Sequence, residues 1–279
     1  MIHVFKHHAM ATEFQVRLAA AAAPYAAQAA RAAFDEADRL ENLLSRFREH
    51  SDISAIARLT PGLSARLSEP TFACLTIARD MERATSGAFS VTPIGRSSQT
   101  TFPTWSLDAK TFSIRCETGR LEFDLGAIGK GFALDRMAEV LAEWDCPAFL
   151  LVAGGSSILA GEPPPDRPGW SVGLGDGPNA PAHWLTHCSL SGSGVAVQGK
   201  HIFDPRTGRV AEQRLRAWAF APTGAVSDAL STACMVLAES EIAQFMAGQN
   251  HWLVWLNEGG AWRSHGGGLM SGVVTYECA

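Results

Sequence analysis

Three glycines crowd into the eight residues Asp124-Leu-Gly-Ala-Ile-Gly-Lys-Gly131, between a short run that ends on Asp124 and a helical pattern that opens at Gly129. Ala133, Met137, Val140, Leu141 and Trp144 recur at helical spacing, so the chain turns here from an extended segment into a helix. Glycine lets the backbone approach whatever lies opposite. A helix start also offers N–H groups with no partner inside the helix, and Lys130 adds a positive charge. Together these suit a phosphate-bearing ligand. A plain glycine-rich turn from strand to helix uses the same residues, and both readings stand at this point. The segment is not a Walker A loop, because Gly131 follows Lys130 where Ser or Thr is required, and it is not G-x-G-x-x-G.

The pattern around this turn mixes strand pairs with helices. Residues 2–6 and 13–18 predict an opening pair of strands, the second with Phe14, Val16 and Leu18 on one face. After Pro24, the apolar positions Ala30, Ala33, Phe34, Ala37, Leu40, Leu44 and Phe47 predict a helix to about Arg48 with that face in the core. Ser51 and Ser68 can each cap a further helix, the second over 70–84. Residues 87–103 are rich in Gly, Pro, Ser and Thr and predict a long surface loop. Strands are expected at 111–115 and 120–124, and a helix from Gly129. A strand at 149–152 then runs into Gly154-Gly155. Further strands are expected at 170–174, 183–190, 216–221 and 251–256, the last forming a hairpin into 261–264, with helices at 228–238 and 240–248. Consecutive strand pairs with intervening helices predict an α+β fold. No clean linker divides residues 1–279, which predicts one large domain.

Composition excludes several function classes. The net charge is −5, with 23 Lys and Arg against 28 Asp and Glu in no long run, so no basic surface for nucleic acid is expected. No stretch approaches the roughly 20 apolar residues that cross a bilayer. The opening MIHVFKHHAMATEF lacks a basic start followed by an apolar region, and it lacks a lipobox-like Cys; a cytoplasmic location without a membrane anchor is expected. The six cysteines are scattered and form no C-x-x-C pair, which predicts buried thiols.

Two other segments carry candidate chemistry. In His201-Ile-Phe-Asp-Pro-Arg-Thr-Gly208, Asp204 and Pro205 are turn residues, and Asp204 and Thr207 can bond local backbone. That leaves His201 free for a second reading as a general base, since an imidazole titrates near neutrality. In Ser227-Asp-Ala-Leu-Ser-Thr232, Asp228 and Thr232 are spaced i, i+4 and put two hard oxygen donors on one helix face, a possible Mg²⁺ corner. An Asp in a helix's first turn also satisfies the helix dipole, and that alternative stands beside it. His183 and His187 lack a third ligand and read as structural. No G-x-S-x-G is present.

Taken in order, these segments resemble the FAD:protein FMN transferase family, also described as thiamine-biosynthesis-like lipoproteins. Met10-Ala-Thr12 resembles the family's M-G-T, and Leu44-Ser-Arg-Phe47 with Ser51-Asp-Ile-Ser54 is similar to L-S-x-Y/F…S-x-I-S. Asp124 to Asp135 resembles D-L-G-x-I-A-K-G-x-x-x-D, and Ala153-Gly-Gly155 the family's glycine turn. His201 to Gly208 resembles H-x-x-D-P-R-T-G, and Ser227 to Ala233 resembles A-D-A-L-S-T-A. The resemblance implies antiparallel sheets with packed helices, FAD as substrate and a Mg²⁺ site. Carried over by position, it implies FAD contacts at Asp124, Lys130, Gly154, Gly155 and Ile202, and metal ligation by the Ala127 carbonyl with the side chains of Asp228 and Thr232. The implied reaction transfers FMN from FAD to a threonine or serine of an acceptor flavoprotein and releases AMP, with His201 as base. Cleavage of FAD to FMN and AMP by water, and flavin binding without catalysis, are the alternatives. Two departures stand out: Ser156 replaces an acidic or amide residue after the glycine turn, and Phe89-Ser-Val-Thr-Pro-Ile94 stands for F-D-x-T-V-x-P-L.

Overall fold

The computed structural model describes residues 1–19, 22–92, 103–175, 181–194, 202–211, 214–249, 251–266 and 273–276. β1 (Ile2–Ala9) and β2 (Thr12–Ala19) pair so that Met10 and Ala11 alone make the turn. Both carry positive φ, 49° and 58°, as a two-residue hairpin turn of this kind requires. Then come α1 (Ala23–Leu44), α2 (Asp52–Ala57), β3 (Ser64–Arg66) and α3 (Glu69–Ala84). Ser51 and Ser68 cap α2 and α3 as the sequence predicts, each accepting the N–H three residues on. β4 (Thr104–Asp108), β5 (Ser113–Thr118), α4 (Gly129–Glu143), β6 (Phe149–Ala153) and β7 (Ser157–Ala160) lead to β8 (Trp170–Gly173), β9 (Ala182–Leu185) and β10 (Cys188–Gly194). β11 (Arg216–Ala221), α5 (Gly224–Val236), α6 (Glu239–Met246), β12 (Leu253–Glu258), β13 (Ala261–Gly266) and β14 (Val273–Tyr276) follow.

Eight strands make one antiparallel sheet in the order β1-β2-β6-β7-β10-β11-β12-β13. Two three-stranded antiparallel sheets, β14-β9-β8 and β3-β5-β4, accompany it. This is the expected α+β arrangement of antiparallel sheets with packed helices. Successive side chains of a strand point to opposite faces, which divides the large sheet into two environments. Val16, Leu151, Leu159, Ala219 and Val254 join α1, α3, α4 and α5 in the main core. The alternate residues Leu150, Ile158, Leu190, Trp218 and Phe220 gather with Trp170 of β8 and Leu185 of β9 in a second cluster. No helix among the described residues is long and apolar enough to cross a membrane.

Several local expectations are corrected. α1 stops at Leu44, because Ser45 turns extended and its carbonyl accepts the Ser51 hydroxyl at 2.6 Å. Phe47, assigned to the core face, is 85% exposed. The hairpin expected at 111–115 and 120–124 is instead β4 with β5, because Asp108 makes the turn by accepting the Lys110 N–H and the Thr111 hydroxyl, both at 2.9 Å. Residues 120–124 lie outside any strand, and the Asp124 N–H bonds the Val91 carbonyl at 2.8 Å. The single strand expected over 183–190 breaks at His187, whose φ is 47°, so β9 enters a small sheet and β10 the large one. β3, β7 and β14 have no counterpart in the sequence reading, and α5 begins at Gly224, four residues earlier than expected. Cys74, Cys116, Cys146, Cys188 and Cys234 are free and buried, as expected; Cys278 lies outside the described residues. So does the stretch 93–102 of the expected long loop.

Candidate active site

The starts of α4 and α5 meet back to back. A Cβ on Gly131 would overlap the Gly224 carbonyl, and one on Gly224 would overlap the Gly131 carbonyl, so each glycine is required by the other's backbone. Gly131 therefore serves helix packing, whereas Gly126 is exposed and Gly129 would tolerate a Cβ at ordinary contact distance. Small side chains let α5 sit this deep. Ser189, Ser191 and Ser193 of β10 and Ala217, Ala219 and Ala221 of β11 form its floor. The serine hydroxyls bond those of Ser227 and Ser231 at 2.7 to 2.9 Å.

Asp228 stands at the centre of this junction, only 5% exposed. Its Oδ2 accepts the Gly131 N–H and its Oδ1 the Ser157 hydroxyl, both at 2.7 Å. Since α5 starts at Gly224, its first turn holds no acidic residue, and Asp228 serves the start of α4 through Gly131 instead of that of its own helix. One turn on, Thr232 is half-buried and its hydroxyl lies 3.1 Å from that of Ser193. Across the junction, Asp135 of α4 accepts the N–H groups of Gly224 at 2.6 Å and Ala225 at 2.9 Å. Burial pushes the Asp135 carboxyl up to about 7, against the pull of those two bonds.

Around the junction lie the other residues singled out in the sequence. Asp124 accepts the Gly126 N–H at 3.0 Å and pairs with Arg46 at 3.3 Å, which ties the turn before α4 to the segment carrying the exposed Phe47. Lys130 is half-buried and its ammonium reaches the Gly126 carbonyl at 3.4 Å. Ala127, half-buried, lies in the same turn. Gly154 has φ 61° and lies against Thr12, where a Cβ would come within 2.7 Å of the Thr12 hydroxyl. Gly155 is exposed with open space around it, two residues before Ser157. Asp228 is thus bonded to Gly131, the residue after Lys130, and to Ser157, two residues after the glycine turn.

The hairpin over 202–211 is held separately. Asp204 accepts the Arg206 N–H at 2.9 Å, and Thr207 accepts that of Arg209 at 3.3 Å, which is the local turn chemistry the sequence suggests. Arg206 also binds Asp204 through its guanidinium and reaches Glu241 of α6 at 2.8 Å. The Ile202 side chain is buried in the main core. His201 lies outside the described residues.

Residues 10–254 match the model of the ApbE family. The chain belongs to the ApbE family. Among curated proteins, it is 33% identical over 138 residues to the FAD:protein FMN transferase of Treponema pallidum (strain Nichols), covering 42% of this chain and 38% of that protein. A FAD:protein FMN transferase of Klebsiella pneumoniae (strain 342) is 31% identical over 116 residues, covering 37% and 34%. These matches span little more than a third of either relative. Among solved structures, the ApbE protein of Thermotoga maritima MSB8 superposes with a TM-score of 0.79 at 23% identity, covering 95% of this chain and 97% of that one. The flavin transferase ApbE from Vibrio cholerae does so with a TM-score of 0.79 at 17% identity, covering 97% and 98%.

In this ApbE-family chain, several residues that organise the site escaped the sequence reading. Ser157 and Ser193 carried no motif, although the alternation of serines at 189, 191 and 193 marks one strand face. Arg46 and Asp135 lay inside quoted segments, but their partners are remote in sequence and gave no signal.

Proposed function

We propose that this chain transfers FMN from FAD to a threonine or serine hydroxyl of an acceptor flavoprotein, releasing AMP, with Mg²⁺ bound at Asp228. The observation that carries the reading is the Asp228 corner: a buried carboxylate fixed by two donors, beside the starts of two helices. Each carboxylate oxygen can accept twice, so Asp228 keeps a position on each oxygen for a cation. Donors that orient a ligating carboxylate, here Gly131 and Ser157, are a usual part of metal sites. With the Thr232 hydroxyl and the Ala127 carbonyl, the donor set is all oxygen, which suits Mg²⁺ when water and phosphate oxygens complete the shell.

A bound Mg²⁺ would offset negative charge on the pyrophosphate as it breaks. Lys130, the half-buried cation in the first turn of α4, would hold the phosphates through its ammonium. Asp124, Gly154, Gly155 and Ile202 would line the FAD, Gly155 through its open surroundings and Ile202 through its backbone, since its side chain is in the core. In the transfer, the acceptor hydroxyl oxygen forms a bond to the FMN phosphorus and the bond from that phosphorus to the AMP oxygen breaks. His201 would take the hydroxyl proton. The test incubates the protein with FAD and Mg²⁺, with and without an acceptor flavoprotein, and follows AMP and flavin attached to the acceptor. Transfer gives both products only with acceptor. AMP without acceptor means hydrolysis, and no AMP in either mixture means binding alone.

A further inference from the structure

Neither α4 nor α5 caps its own start. The residue before α4 is Ile128, which has no polar side chain, and Thr223 before α5 makes no side-chain cap bond. Buried helix starts need such partners. Each helix takes its side-chain acceptor from the other: Asp135 of α4 accepts the first two N–H groups of α5, and Asp228 of α5 accepts the Gly131 N–H in the first turn of α4, whose Gly129 N–H is held by the Leu125 carbonyl at 2.7 Å. The Gly131–Gly224 backbone contact lies between these bonds and leaves the two helices no room to slide closer.

We propose that Asp135 is a positioning residue for Asp228. The Asp135 bonds fix the start of α5 against α4, and that register sets where the Asp228 carboxylate stands relative to Gly131, Ser157 and the turn carrying Ala127. When an amide replaces the Asp135 carboxylate, its one oxygen can accept from only one of the two buried N–H groups and its NH2 faces the other, the start of α5 loosens, and Asp228 no longer holds one orientation. The consequence for metal binding rests on the proposed role of Asp228; the coupling of the two carboxylates does not.

Two readouts on Asp135→Asn separate these levels. Calorimetric titration with Mg²⁺ in the presence of FAD should show the dissociation constant raised about tenfold or more, while FAD affinity measured without metal stays within about twofold. A variant with lowered melting temperature but wild-type Mg²⁺ affinity overturns the proposal, because a merely structural carboxylate gives that result. Amide hydrogen exchange supplies the metal-independent readout. Exchange at Gly131 should rise about tenfold or more in Asp135→Asn, with the amides of β6 unchanged, because the acceptor of the Gly131 N–H is released. Should the wild type bind no Mg²⁺, the metal reading of Asp228 fails alone, and Gly131 exchange still decides the coupling. Unchanged exchange there overturns it. If Asp135→Asn does not fold, Asp135→Glu, which keeps the charge but displaces it by one methylene, carries the same two measurements.

Discussion

On its helix-facing side the large sheet presents Ser157, Ser189, Ser191 and Ser193, and each hydroxyl is bonded, to Asp228, to Ser227 or to Ser231. On the opposite side, Trp218 and Trp255 bury their indole nitrogens without a partner among the described residues. His183 of β9, packed edge-on against Phe220, has no hydrogen-bond partner for either ring nitrogen among the described residues. The strands are the same; only the alternation of side chains differs. A fully bonded buried layer holds one geometry and can keep a carboxylate such as Asp228 in place. An apolar layer with orphaned nitrogens is stabilised by aromatic burial and loses stability at each orphan. The helix side is thus built to hold one polar geometry, and the other side is built by aromatic packing.

The sharpest way to break this comparison is at the glycines. Gly131→Ala should cost about 3 kcal/mol or more in urea denaturation, because its methyl would meet backbone and not a yielding side chain. Gly155→Ala, with open space around it, should stay within about 0.5 kcal/mol. Equal, small effects at both would mean that the α4–α5 contact is looser than described.

Polar deletions should then have opposite signs on the two sides. Ser157→Ala, which removes a hydroxyl from a buried carboxylate, should destabilise by roughly 2 kcal/mol. His183→Phe, which removes two orphaned nitrogens, should stabilise, and increasingly so in acid. Burial lowers the His183 pKa from its ordinary 6.5 to about 4. The unfolded chain therefore binds the proton first, and wild-type stability is retained above pH 6.5 and lost as pH falls towards 4. At pH 5 the loss through this group is about 2 kcal/mol. Asp135, with its raised pKa, acts in the opposite direction over the same range. The wild-type-minus-variant difference isolates the histidine, and a pH-independent difference would contradict the burial of a neutral imidazole.

The smallest effect expected is at Lys130. Lys130→Ala should weaken FAD binding by about 1 kcal/mol at low salt and by less at high salt, since an ammonium facing a pyrophosphate acts through charge that salt screens. A salt-independent loss would argue for packing instead.

Much of the helix side was legible in the sequence, and little of the aromatic side. Asp228 and Thr232 do lie one turn apart on a single helix and Gly154 does take a positive φ, because both features depend on neighbours in sequence. Phe47 misled because helical spacing continues past Leu44, while the stop depends on Ser51 reaching back to Ser45. The break at His187 was hidden because residues 183–190 alternate well enough for one strand, and only pairing with different sheets divides them. Gly131 looked like a ligand-facing glycine until Gly224 was found against it, 93 positions away by numbering, a contact no local reading supplies.

Asp228→Ala tests the central claim most directly. The variant loses two buried bonds and should be less stable by roughly 2 to 3 kcal/mol, yet retain the wild-type circular dichroism spectrum at 25 °C. With FAD, acceptor flavoprotein and a Mg²⁺ titration, the account predicts metal-dependent AMP release from the wild type. The folded variant should release AMP at a rate lower by a factor on the order of 10² or more at saturating FAD. A folded Asp228→Ala protein that releases AMP at the wild-type rate, with the same dependence on Mg²⁺, would contradict it.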